Sequence, residues 1–326
     1  LILNYVVGPL VFCLLILSIY QQVRNQMNWE QSLRELTQAF NGRSIYLFFC
    51  VMILMLANWS LEALKWKLLV QGIQPISWFR SFKATLTGLT FAFFTPNRMG
   101  EYVGRVVYIQ KGNRLSAASL TVVSSMAQIM VTLTFGIYGL FRLKSMMHTF
   151  PNGWSAASIW VDALLYITLF ALIVLTFFYL RLAWFFSWMG RIPQLERLTG
   201  IVKHLQFFDL PLLGKIWLLS LVRYIIFIVQ YYLLYKVFSV SLDLWQVFWS
   251  VSIVFLVLAV FPSIAFLTDL GLRWKTSMEI MQLFNANSVG ILATALTIWV
   301  INLVIPALAG SLLLLNIRIF RIRSRQ

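Results

Sequence analysis

The stretch Phe94-Thr95-Pro96-Asn97-Arg98-Met99-Gly100-Glu101-Tyr102-Val103-Gly104-Arg105 interrupts an otherwise apolar region with three charges, a proline and two glycines. Thr95 has the type of a helix N-cap and Pro96 that of a first helical residue, where the missing N–H costs no hydrogen bond. A half-helix starting there points its positive end at the break. Arg98, Glu101 and Arg105 follow at intervals of three and four, so they share one face, with Glu101 N-terminal to Arg105 in the favourable order. Gly100 and Gly104 form an adjacent small face that lets another helix or a lipid come close. Unpaired N–H groups beside a guanidinium suit a phosphate, because the macrodipole favours an anion and Arg binds two oxygens at once. Thr95, Asn97, Arg98, Glu101 and Arg105 are therefore the first set of expected lipid-phosphate contacts. The bland alternative is mutual neutralisation at a membrane surface. Against it, each charge at the centre of a membrane helix costs about 2.5–3.5 kcal/mol, so three deep ones need a function.

A second interruption, Phe261-Pro262-Ser263 through Thr268-Asp269-Leu270-Gly271-Leu272-Arg273, repeats the ingredients without repeating the order. Asp269 and Arg273 are four apart, and Asp269 reads as a cap for a helix that follows it. Pro262 and Gly271 are the expected structural residues here; a surface cap and ion pair fits as well. Arg223 lies about two turns inside an apolar run, where it either snorkels to headgroups or faces the bundle as a second phosphate contact. Glu62, with Lys65 and Trp66, reads as an interfacial anchor and ion pair.

No nucleophile, base and orienter set is visible, and no Walker loop, dinucleotide fingerprint or zinc spacing. We expect no enzyme, no cofactor and no metal site. Cys13 and Cys50 sit in apolar runs, and His148 and His204 read as solvated loop residues.

The elements that must position these residues are set by composition. The chain is 60% hydrophobic and 11% charged, against about 25% charged in soluble domains, so its solvent is lipid. Apolar runs recur from end to end, which a cleaved leader does not explain. The net charge of +16 falls between the runs, where it contacts headgroups and sets topology; nucleic acid is not an expected partner. The chain opens on Leu1, which reads as the loss of a few native residues.

Runs long enough to cross about 30 Å of hydrocarbon extend near Ile2 to Tyr20, Ile45 to Leu64, Leu115 to Phe141, Ala157 to Leu180, Ile216 to Phe238 and Val289 to Leu315. Two more, Phe82 to Ile109 and Leu244 to Leu283, are broken, the second at Pro262-Ser263 and again at Thr268-Asp269. Broken backbone must be satisfied by protein or by a cavity, since lipid offers no partners. The expected fold is all-α: a polytopic helix bundle in one membrane domain, 1–326. It has six crossings and two re-entrant hairpins, 82–109 in the first half (1–142) and 244–283 in the second (157–326), arranged as an inverted repeat. With the tail Arg318, Arg321, Arg323 and Arg325 in the cytoplasm, both termini are cytoplasmic. That side then collects most loop cations, including Lys65, Lys67, Arg80, Lys83, Arg105, Lys111 and Arg114. Gln31 to Phe40 and Leu195 to Phe208 read as interfacial helices.

At Thr95-Pro96-Asn97-Arg98-Met99-Gly100-Glu101 through Arg105 the chain resembles the family of the lysylphosphatidylglycerol synthase transmembrane region, also described as flippase-like membrane proteins. That family carries a hydrophobic stretch, then Pro, Arg, Gly and Glu in this order, then a further Arg. It also has an Asn/Trp-containing second crossing, here Asn58-Trp59, followed by Lys65-Trp66-Lys67. Its later motif, Gly, apolar, Arg, Glu, is matched at Gly271-Leu272-Arg273, but Trp274 stands where the acid belongs, and Asp269 could substitute. With no synthase domain before Gln326, the resemblance implies a lipid-translocating or lipid-binding membrane part and not aminoacyl transfer. The expectation is an inner-membrane translocase for an anionic or polyprenyl-phosphate-type lipid. Arg98 binds phosphate, Glu101 orients Arg105 or couples a proton, and Arg223, Asp269 and Arg273 supply the opposite half. The alternative is a scaffold that presents lipid to a cytoplasmic enzyme such as a glycosyltransferase.

Overall fold

The structure is a computed structural model that describes residues 44–93, 95, 98–147, 155–181, 210–261, 266–284 and 287–323. Among these residues there are only helices and their connections: α1 (Ser44–Val70), α2 (Trp78–Phe93), α3 (Gly100–Val106), α4 (Arg114–Met147), α5 (Ser155–Leu180), α6 (Leu210–Val237), α7 (Leu244–Val260), α8 (Phe266–Met281), α9 (Ser288–Trp299) and α10 (Ile305–Arg323). Five segments are long and apolar enough to cross a membrane: α1, α4, α5, α6 and the continuous α9–α10. They coincide with the expected crossings that begin at Ile45, Leu115, Ala157, Ile216 and Val289. The expected crossing Ile2 to Tyr20 and both interfacial helices lie outside the described residues. The outer surface is apolar, with Ile159, Trp160 and Phe170 each at least 70% exposed, an arrangement stable in lipid and costly in water. The chain is a multi-pass membrane protein.

The last crossing is one helix with a five-residue π-turn at Val300–Val304. Pro306 has no N–H for the carbonyl of Asn302, so the ladder slips: Ile305 N–H reaches back five residues, to the Val300 carbonyl.

α2 and α3 form a helical hairpin. It opens at Trp78, four residues before the expected Phe82, and its mouth is closed by the Gln110 N–H donating to Gln74 Oε1 at 3.1 Å. The segments that flank the hairpin therefore lie side by side. α7 and α8 form the second hairpin, whose two ends meet where Trp249 and Phe284 pack at 5.4 Å. The expected second break at Thr268-Asp269 is not there: α8 runs unbroken from Phe266 to Met281. Asp269 falls in the first turn of that helix.

α1 and α6 are antiparallel neighbours. Gln230 Nε2 donates to the Val51 carbonyl at 3.0 Å, and Arg223 Nε donates to Asn58 Oδ1 at 2.7 Å, so one helix descends as the other rises. Around this pair each hairpin is held by a crossing of the other half. α2 runs against α10, where Thr90 Oγ1 donates to the Ala307 carbonyl at 2.7 Å and Gly310 leaves no room for a Cβ against Leu86. α7 runs against α4, where Gly139 and Gly136 admit the Trp249 carbonyl and Leu256. Small residues let backbones approach where packing must replace the hydrophobic effect.

Candidate functional site

The first break is built differently from its sequence expectation. The helix after it starts at Gly100 and not at Pro96; Pro96 and Asn97 lie outside the described residues. Thr95 still serves the helix start, from a distance. Its hydroxyl accepts the Gly100 N–H at 2.5 Å and donates back to the Phe91 carbonyl at 3.2 Å, so it ties the end of α2 to the beginning of α3. Between them Arg98 adopts a left-handed backbone, φ 59°, which costs a non-glycine residue about 1–3 kcal/mol and is held only where the surroundings demand it. Gly100 and Gly104 face α2: a Cβ on Gly104 would lie 2.5 Å from the Gly88 Cα, so the two helices touch backbone to backbone. Met99, Val103 and Val107 point outward at helical spacing.

That contact fixes the inward face of α3, and the charges on it run from open to closed. Side-chain exposure falls from 51% at Arg98 to 17% at Glu101 and 0% at Arg105. Arg98 lies 4.0 Å from Glu101. One nitrogen of Arg105, Nη2, donates to Glu101 and to Glu62 Oε1, the latter at 2.7 Å. Glu62 is the hub. Its Oε1 also accepts from Ser124 Oγ at 3.3 Å, and its Oε2 meets Lys65 Nζ at 3.2 Å and Arg223 Nη1. Lys65 donates in turn to the Ser124 carbonyl at 3.5 Å. Arg223 is held by Asn58 and by Gln128 Oε1 at 3.5 Å. The two guanidinium groups stack over indoles, Arg105 over Trp66 at 5.3 Å and Arg223 over Trp59 at 5.4 Å, which favours a desolvated cation.

Four elements thus meet in one ion cluster: α1, α3, α4 and α6. Three buried cations, Lys65, Arg105 and Arg223, face two carboxylates, Glu62 and Glu101. Buried donors around it lack acceptors: Arg105 Nε and Nη1, Asn58 Nδ2, Trp59 Nε1 and Trp66 Nε1. An excess of positive charge together with surplus donors is chemistry for an anion.

Several placements differ from expectation. Arg223 faces the bundle rather than snorkelling, and it joins the first hairpin's cluster, not an opposite half, because its helix runs antiparallel against α1. Glu62 is no interfacial anchor: it pairs with Lys65, but both are buried by the surrounding helices. Lys65 and Arg105, counted among loop cations, are likewise inside. Arg273 is apart from the cluster and donates to Tyr231 Oη at 2.9 Å on α6, two turns beyond Arg223. The Asp269 side chain and Pro262 lie outside the described residues. Gly271 is open, with nothing within 4 Å of a Cβ, so close packing does not require it.

An apolar cavity of about 590 Å³ lies on the other face of α4, lined by Val122, Met126, Ile129, Val174, Phe178 and Val260. Ser124 and Gln128 point away from it, by the 100° step of the helix. It suits hydrocarbon, and the charges are elsewhere.

With this geometry in view, comparison with known proteins is decisive for the family. The chain belongs to the lysylphosphatidylglycerol synthase TM region family, whose model matches residues 5–310. No curated protein and no solved structure matches it. Family membership makes this a membrane protein of lipid handling, and the cluster is where its charges converge. The sequence reading missed Asn58, Glu62, Lys65, Ser124 and Gln128 as members. The signal was present: Asn58, Glu62, Lys65 and Trp66 fall at i, i+4, i+7 and i+8, one face of one helix, in a chain with only 10 acidic residues.

Proposed function

We propose that the protein is an inner-membrane lipid translocase of the flippase type, which binds an anionic or polyprenyl-phosphate-type headgroup at this cluster while the tails stay in the bilayer. The observation that carries the reading is the graded row of charges from exposed Arg98 to buried Arg105, Glu62 and Arg223, which ends in a positive excess. A headgroup meets Arg98 first. Its side chain is half exposed and lies 4.0 Å from Glu101, so the guanidinium is open to a ligand at the edge of the cluster. Glu101 holds Arg105 in place, and Thr95 keeps the break closed.

Both hairpins are re-entrant in this reading, and both termini are cytoplasmic. Two observations support the return of the first hairpin: the mouth joined by Gln74 and Gln110, and the antiparallel α1 and α6. With α4 and α5 between them, opposed α1 and α6 agree with an α2–α3 hairpin that makes no net crossing. Re-entrant hairpins from opposite faces, each clasped by the other half, are the architecture of alternating-access carriers.

The test is lipid binding by the purified full chain. Arg98→Ala is expected to weaken binding of an anionic phospholipid by about tenfold or more, and Arg98→Lys to restore it only partly, since Lys keeps the charge and loses the fork. Equal affinity of all three proteins would contradict the assignment.

A further inference from the structure

Glu62 occupies the position an anionic ligand needs. It accepts from Arg105, Arg223 and Ser124 and pairs with Lys65, so a single carboxylate satisfies the three innermost cations of the bundle. A headgroup that passes Arg98 finds Arg105 Nη2 and Arg223 Nη1 already engaged by Glu62. We infer that Glu62 is a resident counter-anion: an entering phosphate displaces it from Arg223 and Arg105, and it withdraws onto Lys65. The inference rests on the headgroup reading above and adds the exchange to it.

Three observations converge. The first is the charge balance. Lys65, Arg105 and Arg223 outnumber Glu62 and Glu101 by one, so an added phosphate monoanion gives three cations and three anions: Glu62 with Lys65, Glu101 with Arg105, phosphate with Arg223. Buried charge is costly until it is balanced, and the ligand completes the balance. The second is the donor surplus. Arg105 is wholly buried, yet its Nε and Nη1 lack acceptors while Nη2 serves two carboxylates; Asn58 Nδ2 is unmatched beside Arg223. A carboxylate has two oxygens and Glu62 has used both, whereas a phosphate brings more acceptors. The third is the retreat. Lys65 lies one turn from Glu62 on α1 and is fixed to the Ser124 carbonyl, so a partner for the displaced carboxylate is already in place.

The exchange explains why a carboxylate sits at the centre of a site for anions. An unliganded site with three bare cations would be unstable, and one neutralised completely would have no use for a ligand.

The experiment compares wild-type full-length protein with Glu62→Gln, in a non-ionic detergent, binding two probes: dihexanoyl-phosphatidylglycerol and inorganic phosphate. Removing the competitor is expected to tighten binding by about tenfold or more, the scale of a close buried charge pair. Tightening for the lipid alone assigns a headgroup; tightening for inorganic phosphate as well assigns any accessible phosphate. Both support displacement. Unchanged or weaker binding of both probes by Glu62→Gln overturns it. Should that variant fail to fold, Glu62→Asp keeps the charge and shortens the reach; about threefold tightening is expected, and no tightening overturns the exchange. If wild-type protein binds neither probe, the headgroup reading itself fails, which is a different result.

Discussion

Arg105 holds two carboxylates through one nitrogen, with its ring-facing side on Trp66 and no exposure at all. Such a residue is replaceable only together with its partners. Removing one side of a buried pair strands the other charge at a cost of about 3–5 kcal/mol, whereas the pair as a whole contributes little over an apolar substitute. Arg105→Met is therefore expected to destabilise the protein by about that amount in a denaturant titration in detergent. Adding Glu101→Gln is expected to recover part of it. A loss below about 1 kcal/mol, the range of surface pairs, would mean that Arg105 is solvated. The sequence made this residue visible through its spacing from Glu101. It hid Glu62 because a carboxylate followed by Lys and Trp near the end of an apolar run reads the same whether it reaches an interface or the interior. Only the helices packed around it decide, and the residues they bring to Glu62 lie 43 to 161 positions away.

At the scale of elements, the five apolar runs among the described residues and the two broken regions were legible, since length and hydropathy determine a crossing and a proline amid polar residues determines a break. The starts of the helices after the breaks were not. Thr95-Pro96 has the composition of a helix start, yet α3 begins at Gly100, because the contact of Gly104 with Gly88 fixes where α3 can lie and Thr95 reaches it by a local bond across the break. Asp269 has the composition of a cap and sits inside α8. The hairpins lead to a direct expectation about sidedness. In a cysteine-free background, Gly112→Cys, at a position with open space around its Cβ, is expected to resist a membrane-impermeant thiol reagent added to intact cells. Ser288→Cys, at the start of α9, is expected to react. Labelling at 112 would turn the first hairpin into a net crossing.

Across the whole molecule, the two halves exchange their supports: α10 of the second half braces the first hairpin, and α4 of the first half braces the second. The antiparallel α1 and α6 form the axis of that exchange, and the ion cluster spans them. The Glu62–Arg223 pair bridges α1 and α6, so the movement of one half against the other that the translocase reading requires would act on it. This coupling of a charge site to the seam between halves is the central claim of the translocase reading. Its most direct test is movement of a fluorescent anionic phospholipid between leaflets of vesicles that contain the full chain. Wild-type protein is expected to speed that movement over empty vesicles, and Arg98→Ala and Glu101→Gln, inserted and folded, to slow it by about tenfold or more. Movement unaltered in both variants would contradict the account and favour a scaffold that binds lipid without carrying it.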